Sequence, residues 1–391
     1  MRVVIVGAGI GGLAAAVALQ RVRLETVIIE RATALGEVGA GLSLWSNATN
    51  ALRELGVEGK VRAAGSVVER LWSQTLTGRP IGIFDLSEIS RSAGAASVCV
   101  RRAALQQILL AELPSSAIRT GVRCLGFEGS TAVLEGGRRI EGDLVVGADG
   151  IFSVIREQLH GPAEPRYAGY TCWRGLSQGE GVLPERTSLL AVGGGSQFGL
   201  WPCGAGQFYW FLTKNSSLRR SKAETGSQAV VTCDHWPSLI REVIAGTPEG
   251  SIIQNDILDR PPLSWWGHGR VTLLGDAAHA TTPNFGQGAC QALEDAVVLA
   301  DCLRRQQPVE AALREYESRR LARTSAMVRD SWQSGRLLQL DQRWLEALRN
   351  WLMGSWLGKH LTERTFRELL LYQVPTLPPP ARRAGCPLHI L

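Results

Sequence analysis

Residues 1–30 read MRVVIVGAGIGGLAAAVALQRVRLETVIIE, and their order decides the architecture. Arg2 to Val6 is a β-branched apolar run, the pattern of a strand buried on both faces. Leu13 to Arg21 is strongly helix-forming, and Thr26 to Ile29 is a second apolar strand that ends at Glu30. Between the first strand and the helix lie Gly7, Gly9, Gly11 and Gly12, in GxGxxG spacing. Gly7 permits a tight turn, Gly9 lets the backbone approach a pyrophosphate, and Gly12 lets the helix pack close to the sheet. The helix start offers amide donors and a positive dipole to phosphates, while Glu30 can accept ribose hydroxyls. A glycine run alone is weak, but strand, helix, second strand and acid in register predict a dinucleotide site. Glu30 disfavours a 2′-phosphate, which selects FAD or NAD over NADP.

Working outward, helix-forming residues return at Ala103–Leu113, and short strands flank a turn at Glu135-Gly136-Gly137, the pattern of a hairpin. Asp143 to Gly150 (DLVVGADG) is another buried strand with an acid at its end. From Tyr167 to Leu212 the pattern changes to four antiparallel strands, YAGYTCWRGL, TSLLAV, SQFGLWPCG and QFYWFL. A helical patch follows over Ala229–Ala245. At Val271 the parallel-strand pattern resumes, leading into GDAAHATTPNFGQGACQALEDA at 275–296 and a helix from about Gly288 to Arg305. The expected fold is α/β (mixed α+β): a Rossmann-like dinucleotide domain with an inserted antiparallel-sheet substrate domain and C-terminal helices. The expected domains are 1–70, 98–163 and 268–330 for the nucleotide, 71–97 and 164–267 for the substrate, and a helical segment 331–391 with a Pro-rich tail.

The three fingerprints GAGIGG with Glu30, GADG and GDAAHATTPNFGQG together resemble the class A flavoprotein monooxygenases, the family of p-hydroxybenzoate hydroxylase. RYAGYTCWRGL at 166–176 is most similar to segments of the salicylate, urate and 6-hydroxynicotinate hydroxylases and of zeaxanthin epoxidase. The resemblance implies FAD as cofactor, NADH or NADPH as co-substrate, and O2. It implies a flavin C4a-hydroperoxide that passes one oxygen atom to an aromatic or unsaturated small molecule. Asp276 would accept a ribityl hydroxyl, Pro283 would break the chain, and Gly286, Gln287 and Gly288 would open a helix toward the flavin ring, favouring its reduced, anionic form. Further FAD contacts carry over to Arg31, Ser43, Arg102, the backbone of Cys124, and Asp149. With one dinucleotide fold only, NAD(P)H is expected to bind transiently, so no catalytic triad is expected either.

Alternation in strand 168–174 puts Tyr170, Cys172 and Arg174 on one face and Thr171 and Trp173 on the other. Gln197, Gly199 and Trp201 share a face, as do Tyr209 and Phe211. The resemblance implies that this sheet roofs the flavin, which makes Cys172, Gln197 and Tyr209 pocket candidates. Urate hydroxylases place an Arg where this chain has Gln197, which favours a neutral, apolar substrate. A G-x-S-x-G match at Gly175–Gly179 lacks the helix that a hydrolase elbow requires after its serine. The WxWxIP segment of flavin halogenases is absent. The alternatives left are a same-fold reductase resembling the geranylgeranyl reductases and an FAD-binding homologue without turnover.

The chain has 391 residues, 45% of them hydrophobic, with 42 Lys plus Arg against 36 Asp plus Glu and a mean hydropathy of +0.01. No apolar run approaches the ~18 residues of a membrane span, and no secretory leader is legible. The expectation is a cytoplasmic protein, a monomer or homodimer. Its eight cysteines show no paired spacing and its six histidines no ligand spacing, so no metal is expected. The entire net charge of +6 falls in residues 301–391, read first as a solvated, Arg-rich helical surface and otherwise as a basic face for an acidic substrate, a partner or an anionic membrane surface. No nucleic-acid-binding pattern accompanies it. Trp344, Leu348, Trp351, Leu352 and Trp356 form one helical stripe, expected first to pack on the protein itself and otherwise to form a dimer face or rest on a membrane.

Overall fold

Val3, Val4 and Ile5 are wholly buried at the centre of a five-stranded parallel sheet in the computed structural model, which describes residues 1–36, 41–179, 181–218, 236–305 and 308–379. The first strand, Arg2–Val6, pairs with Leu144–Gly147 on one side and Glu25–Ile29 on the other, and Val271–Leu273 and Ile118–Arg119 form the edges. A parallel sheet is covered on both faces, which is why its strands read as unbroken β-branched runs. Helix Ile10–Arg21 is buried from Gly12 through Leu19 because it lies between this sheet and helix Gly288–Leu303.

Helix Gly288–Leu303 is buried at every residue from Cys290 to Leu303, including Gln291, Glu294, Asp295 and Asp301. Buried carboxylates require partners, and the 30-residue helix Val309–Leu338 supplies them. Arg320, with no exposed surface, donates to Asp295 Oδ1 at 2.7 Å, Glu294 Oε2 at 2.6 Å and Gln291 Oε1 at 2.7 Å. Arg323 reaches both oxygens of Glu294, at 2.8 and 2.9 Å. Asp295 Oδ2 lies 2.6 Å from His279 Nε2 and accepts from the Gly275 amide. Burial opposes ionisation of Asp295, but His279 and Arg320 outweigh it and hold the carboxyl at about 2. Asp301 takes Arg319 at 2.8 Å and Arg304 at 3.0 Å. The Arg-rich segment is therefore not simply the solvated surface expected from its composition: part of it neutralises a buried acidic helix.

A second, seven-stranded sheet runs in the order Ile253–Asp259, Arg166–Gln178, Gln207–Asn215, Ser196–Pro202, Thr187–Gly193, Arg70–Thr75, Pro80–Asp85. All its pairs are antiparallel except Thr187–Gly193 with Arg70–Thr75. One face carries Trp173, Phe198, Leu200, Trp210 and Leu212 against Ile240, Val243 and Ile244 of helix Ser238–Ala245. The other face, with Leu176, Trp201, Tyr209 and Phe211, joins the core built on the five-stranded sheet. Ser177 of the G-x-S-x-G match lies within strand Arg166–Gln178, with no turn into a helix. The hairpin expected at 125–140 is a three-stranded antiparallel meander, Cys124–Glu128, Thr131–Leu134 and Arg139–Glu141. Six cysteines are buried and unpaired; Cys233 and Cys386 lie outside the described residues, as do the first part of the expected Ala229–Ala245 helix and the end of the Pro-rich tail.

Replacing Arg320 by Ala leaves two buried carboxylates short of their shared cation, so Arg320→Ala is expected to lower unfolding free energy by about 3–5 kcal/mol in urea titrations. Arg364→Ala, which removes an exposed pair with Glu368, should change stability little.

Candidate functional site

Gly7, with φ +106°, takes a backbone conformation that side chains disfavour, and a Cβ built on it would lie 2.4 Å from Ala148 O. A Cβ on Gly12 would lie 2.0 Å from Gly7 O. These two glycines thus bring the first turn against its neighbouring strand and the helix against the turn. Gly9 is different: nothing lies within 4 Å of its Cβ position, because it borders a 340 Å³ cavity, as does Gly11. Helix Ile10–Arg21 has neither a side-chain cap nor an acid in its first turn, so its free amides and dipole are available there. Glu30 closes over the glycine turn, accepting from the amides of Ala8 and Ala32, both at 2.8 Å.

A second helix start meets the same cavity. Helix Gly288–Leu303 also begins without a side-chain cap or acid, and Asp276, Pro283, Gly286 and Gly288 border the cavity beside it. The loop before this helix is tied down: Trp45 Nε1 donates to Phe285 O at 2.8 Å, and Asn284 Nδ2 reaches Tyr170 OH at 3.0 Å and Ser331 O at 3.2 Å. Gly286 has φ +61°, and a Cβ there would lie 3.0 Å from Trp45 Nε1. Gln287 does not point into the cavity. It is buried, and its Oε1 accepts from Asn47 and Gln291. Two uncapped helix starts facing one space, with glycines at both, fit a ligand with a pyrophosphate and a flat, electron-accepting ring.

The seven-stranded sheet roofs this floor in register. Cys172, Thr213 and Gln197 stand in one row across three strands; Arg174, Phe211 and Gly199 form the next, and Leu176, Tyr209 and Trp201 the third. Apart from Gly199 and Leu176, all of these line the cavity. A Cβ on Gly199 would lie 2.0 Å from the Trp201 ring and 2.4 Å from Phe211, so the two rings fill the space of its missing side chain. Gln197 is buried and donates to Gln339 Oε1 at 2.8 Å; Gln339 also accepts from Thr213 and donates to Gly195 O and Asn215 Oδ1. Burial raises the Cys172 thiol and the Tyr209 phenol above their ordinary values, so both stay protonated at neutral pH.

Of the residues expected to hold the cofactor, Gly9, Gly11, Ser43, Arg102, Asp276, Pro283, Gly286 and Gly288 border the cavity. Arg31 is exposed and Cys124 is buried in its strand, and neither lines it. Asp149 accepts from the Val154 amide at 2.8 Å and from Ser153, holding the start of helix Val154–His160, while Ala148 and Gly150 on either side of it face the cavity. Sequence reading did not single out Trp45, Asn284, Phe285 or Phe366. Asn284 and Phe285 lie inside the quoted PNFGQG segment, but no local signal marks Phe366 of helix Trp356–Leu370. Arg174 was placed on the right face but given no role. Together with Arg102 and Asp276 it makes up the charged lining, and among the described residues no carboxylate forms an ion pair with it.

Residues 1–331 match the family described as "FAD binding domain". The chain is 39% identical over 377 residues to the aurachin C monooxygenase/isomerase of Stigmatella aurantiaca, covering 94% of this chain and 98% of that one. It is 34% identical to an FAD-dependent urate hydroxylase of Mycolicibacterium vanbaalenii, covering 90% and 93%. Among solved structures, Klebsiella pneumoniae HpxO complexed with FAD and uric acid superposes with a TM-score of 0.88 at 29% identity, covering 95% and 97% of the two chains.

Gly9→Asp tests the floor directly. The open space admits the side chain, and Asp is a favourable helix cap, so the fold should persist by circular dichroism. A carboxylate facing the pyrophosphate should weaken FAD binding by about tenfold or more in fluorescence titration.

Proposed function

The chain belongs to the FAD binding domain family and is a flavin-dependent monooxygenase with FAD as cofactor, and on that premise we propose the reaction that its own site is built for. The proposed reaction takes two electrons from NADH or NADPH and transfers one oxygen atom from O2 to a small aromatic or unsaturated substrate with a largely apolar body. The observation that carries this reading is the roof. Trp201, Tyr209 and Phe211 offer flat apolar surface opposite the floor of helix starts, and Phe285 and Phe366 add apolar lining to the same cavity. The relatives named above favour oxygen transfer over the reductase and non-catalytic readings.

FAD, when bound, supplies the redox chemistry and the activation of O2. The chain's residues do the rest. The amides at Gly9–Gly11 would receive the pyrophosphate, Asp276 would accept a ribityl hydroxyl, and Ser43 lines the same cavity. The helix start at Gly288, which has no side-chain cap, would favour negative charge on a ring placed before it. The aromatic roof excludes water. Arg174 projects from the roof as a fixed cation, suited to hold one polar oxygen of an otherwise apolar substrate. Cys172 and Gln197 shape the wall beside it, and no acid–base pair is required.

NADH or NADPH oxidation under air should rise when phenols, quinolones, purines or polyenes containing the true substrate are supplied, with one atom of labelled O2 in the product. Oxidation that never responds to any of them, by a protein that retains FAD, would refute the reading. Arg174→Gln should leave the flavin spectrum unchanged and raise KM by about 10–100-fold, the worth of one charge-assisted hydrogen bond.

A further inference from the structure

Resting on the apolar-substrate reading above, we infer that the outer face of the two C-terminal helices is a docking surface for an anionic lipid bilayer. Helices Arg343–Gly354 and Trp356–Leu370 are amphipathic in the inverted sense. Arg349 is buried and donates to Leu337 O and Leu338 O, while Trp344 is 66%, Trp351 68% and Trp356 79% exposed. Leu348, Leu352, Leu357 and Leu361 are exposed with them, so the stripe expected to pack on the protein itself does not. A helix pair that buries its arginine and exposes three tryptophans has an apolar face to cover.

Charge selects what covers it. Arg79 and Arg343 line a groove with Trp351 and one acid, Glu346, and Lys359 lies beside Gly82 on the adjoining strand. Among the described residues none of these three cations has a carboxylate partner. The acids nearby are engaged: Glu346 accepts from the Gly194 amide, Glu363 holds Arg367, and Glu368 holds Arg364. Indole rings at the level of lipid headgroups with unpaired cations around them match an anionic membrane surface.

The face also connects to the chemistry. On the inner side of helix Trp356–Leu370, Phe366 lines the cavity and packs against Trp45, Phe84 and Phe285 with ring centroids 5.5, 4.9 and 6.4 Å away. The element that would rest on lipid is thus the one that closes the apolar end of the site, and an apolar substrate dissolved in the bilayer would arrive there.

Flotation of the FAD-loaded protein with vesicles tests this without any turnover, so its outcome is separate from that of the oxygenation assay. The protein should float with phosphatidylcholine vesicles containing roughly one quarter phosphatidylglycerol, and the bound fraction should fall in high salt. Trp351→Ser with Trp356→Ser should reduce partitioning by about tenfold or more while FAD content and thermal stability are retained. Arg343→Gln with Lys359→Gln should remove the preference for anionic over neutral vesicles. Failure to float, or flotation unchanged by the Trp substitutions, would overturn the proposal. So would a dimer in sedimentation velocity that the same Trp substitutions dissociate, which would assign the face to a second copy.

Discussion

Arg320 and its two carboxylates are the constraint from which the rest of the structure follows. A helix that carries Glu294 and Asp295 cannot be buried unless the charges are met, and the Gly288–Leu303 helix must be buried because its first turn forms the floor of the site. Removing both charges would also satisfy the interior, and well-packed apolar residues often serve as well. What the ion network adds is direction. Asp295 faces His279 and the Gly275 amide, Glu294 faces Asn47, and Asn47 reaches Gln287. The strand end, the second helix and the PNFGQG turn are thus all referred to one guanidinium.

The site itself is made of two surfaces with opposite physical character. The floor is backbone: amides at two helix starts, glycines where side chains would collide, and a turn held by Trp45 and Asn284. The roof is side chains in register on a sheet, with aromatic rings, an inert thiol, a clamped amide and one cation. Such a division suits a cofactor that brings its own reactivity, since the protein has to receive it electrostatically on one side and present a shaped, dry surface on the other.

Much of this was legible in the sequence because short-range rules govern it. The glycine spacing, the buried strand runs and the two-residue alternation of the roof all express local geometry; with the family resemblance they pointed to Gly9, Gly288, Cys172 and Tyr209, which line the cavity. What was not legible depends on long-range partners. Nothing local distinguishes Arg320, which is fully buried in helix Val309–Leu338, from Arg364, which is exposed on helix Trp356–Leu370 of the same Arg-rich segment. Nor does the Trp stripe announce which side of its helix faces inward. There the helical period was read correctly, but Arg349 capping the preceding helix end reversed the usual sense. Phe366 enters the site from a segment with no fingerprint, carried there by chain tracing back across the fold.

Helix Val309–Leu338 ties these parts together mechanically. Near its middle Arg320 is locked to the floor, and Gln339, just past its end, is locked to the roof through Gln197, Thr213 and Asn215. A helix is stiff over that span, so it behaves as a strut that fixes the spacing between floor and roof. The two halves cannot hinge apart without breaking one of its anchorages. Admission of substrate therefore falls to the parts the strut does not hold, and the gap itself is a gauge: it sets the thickness of the molecule that can lie between cofactor and roof.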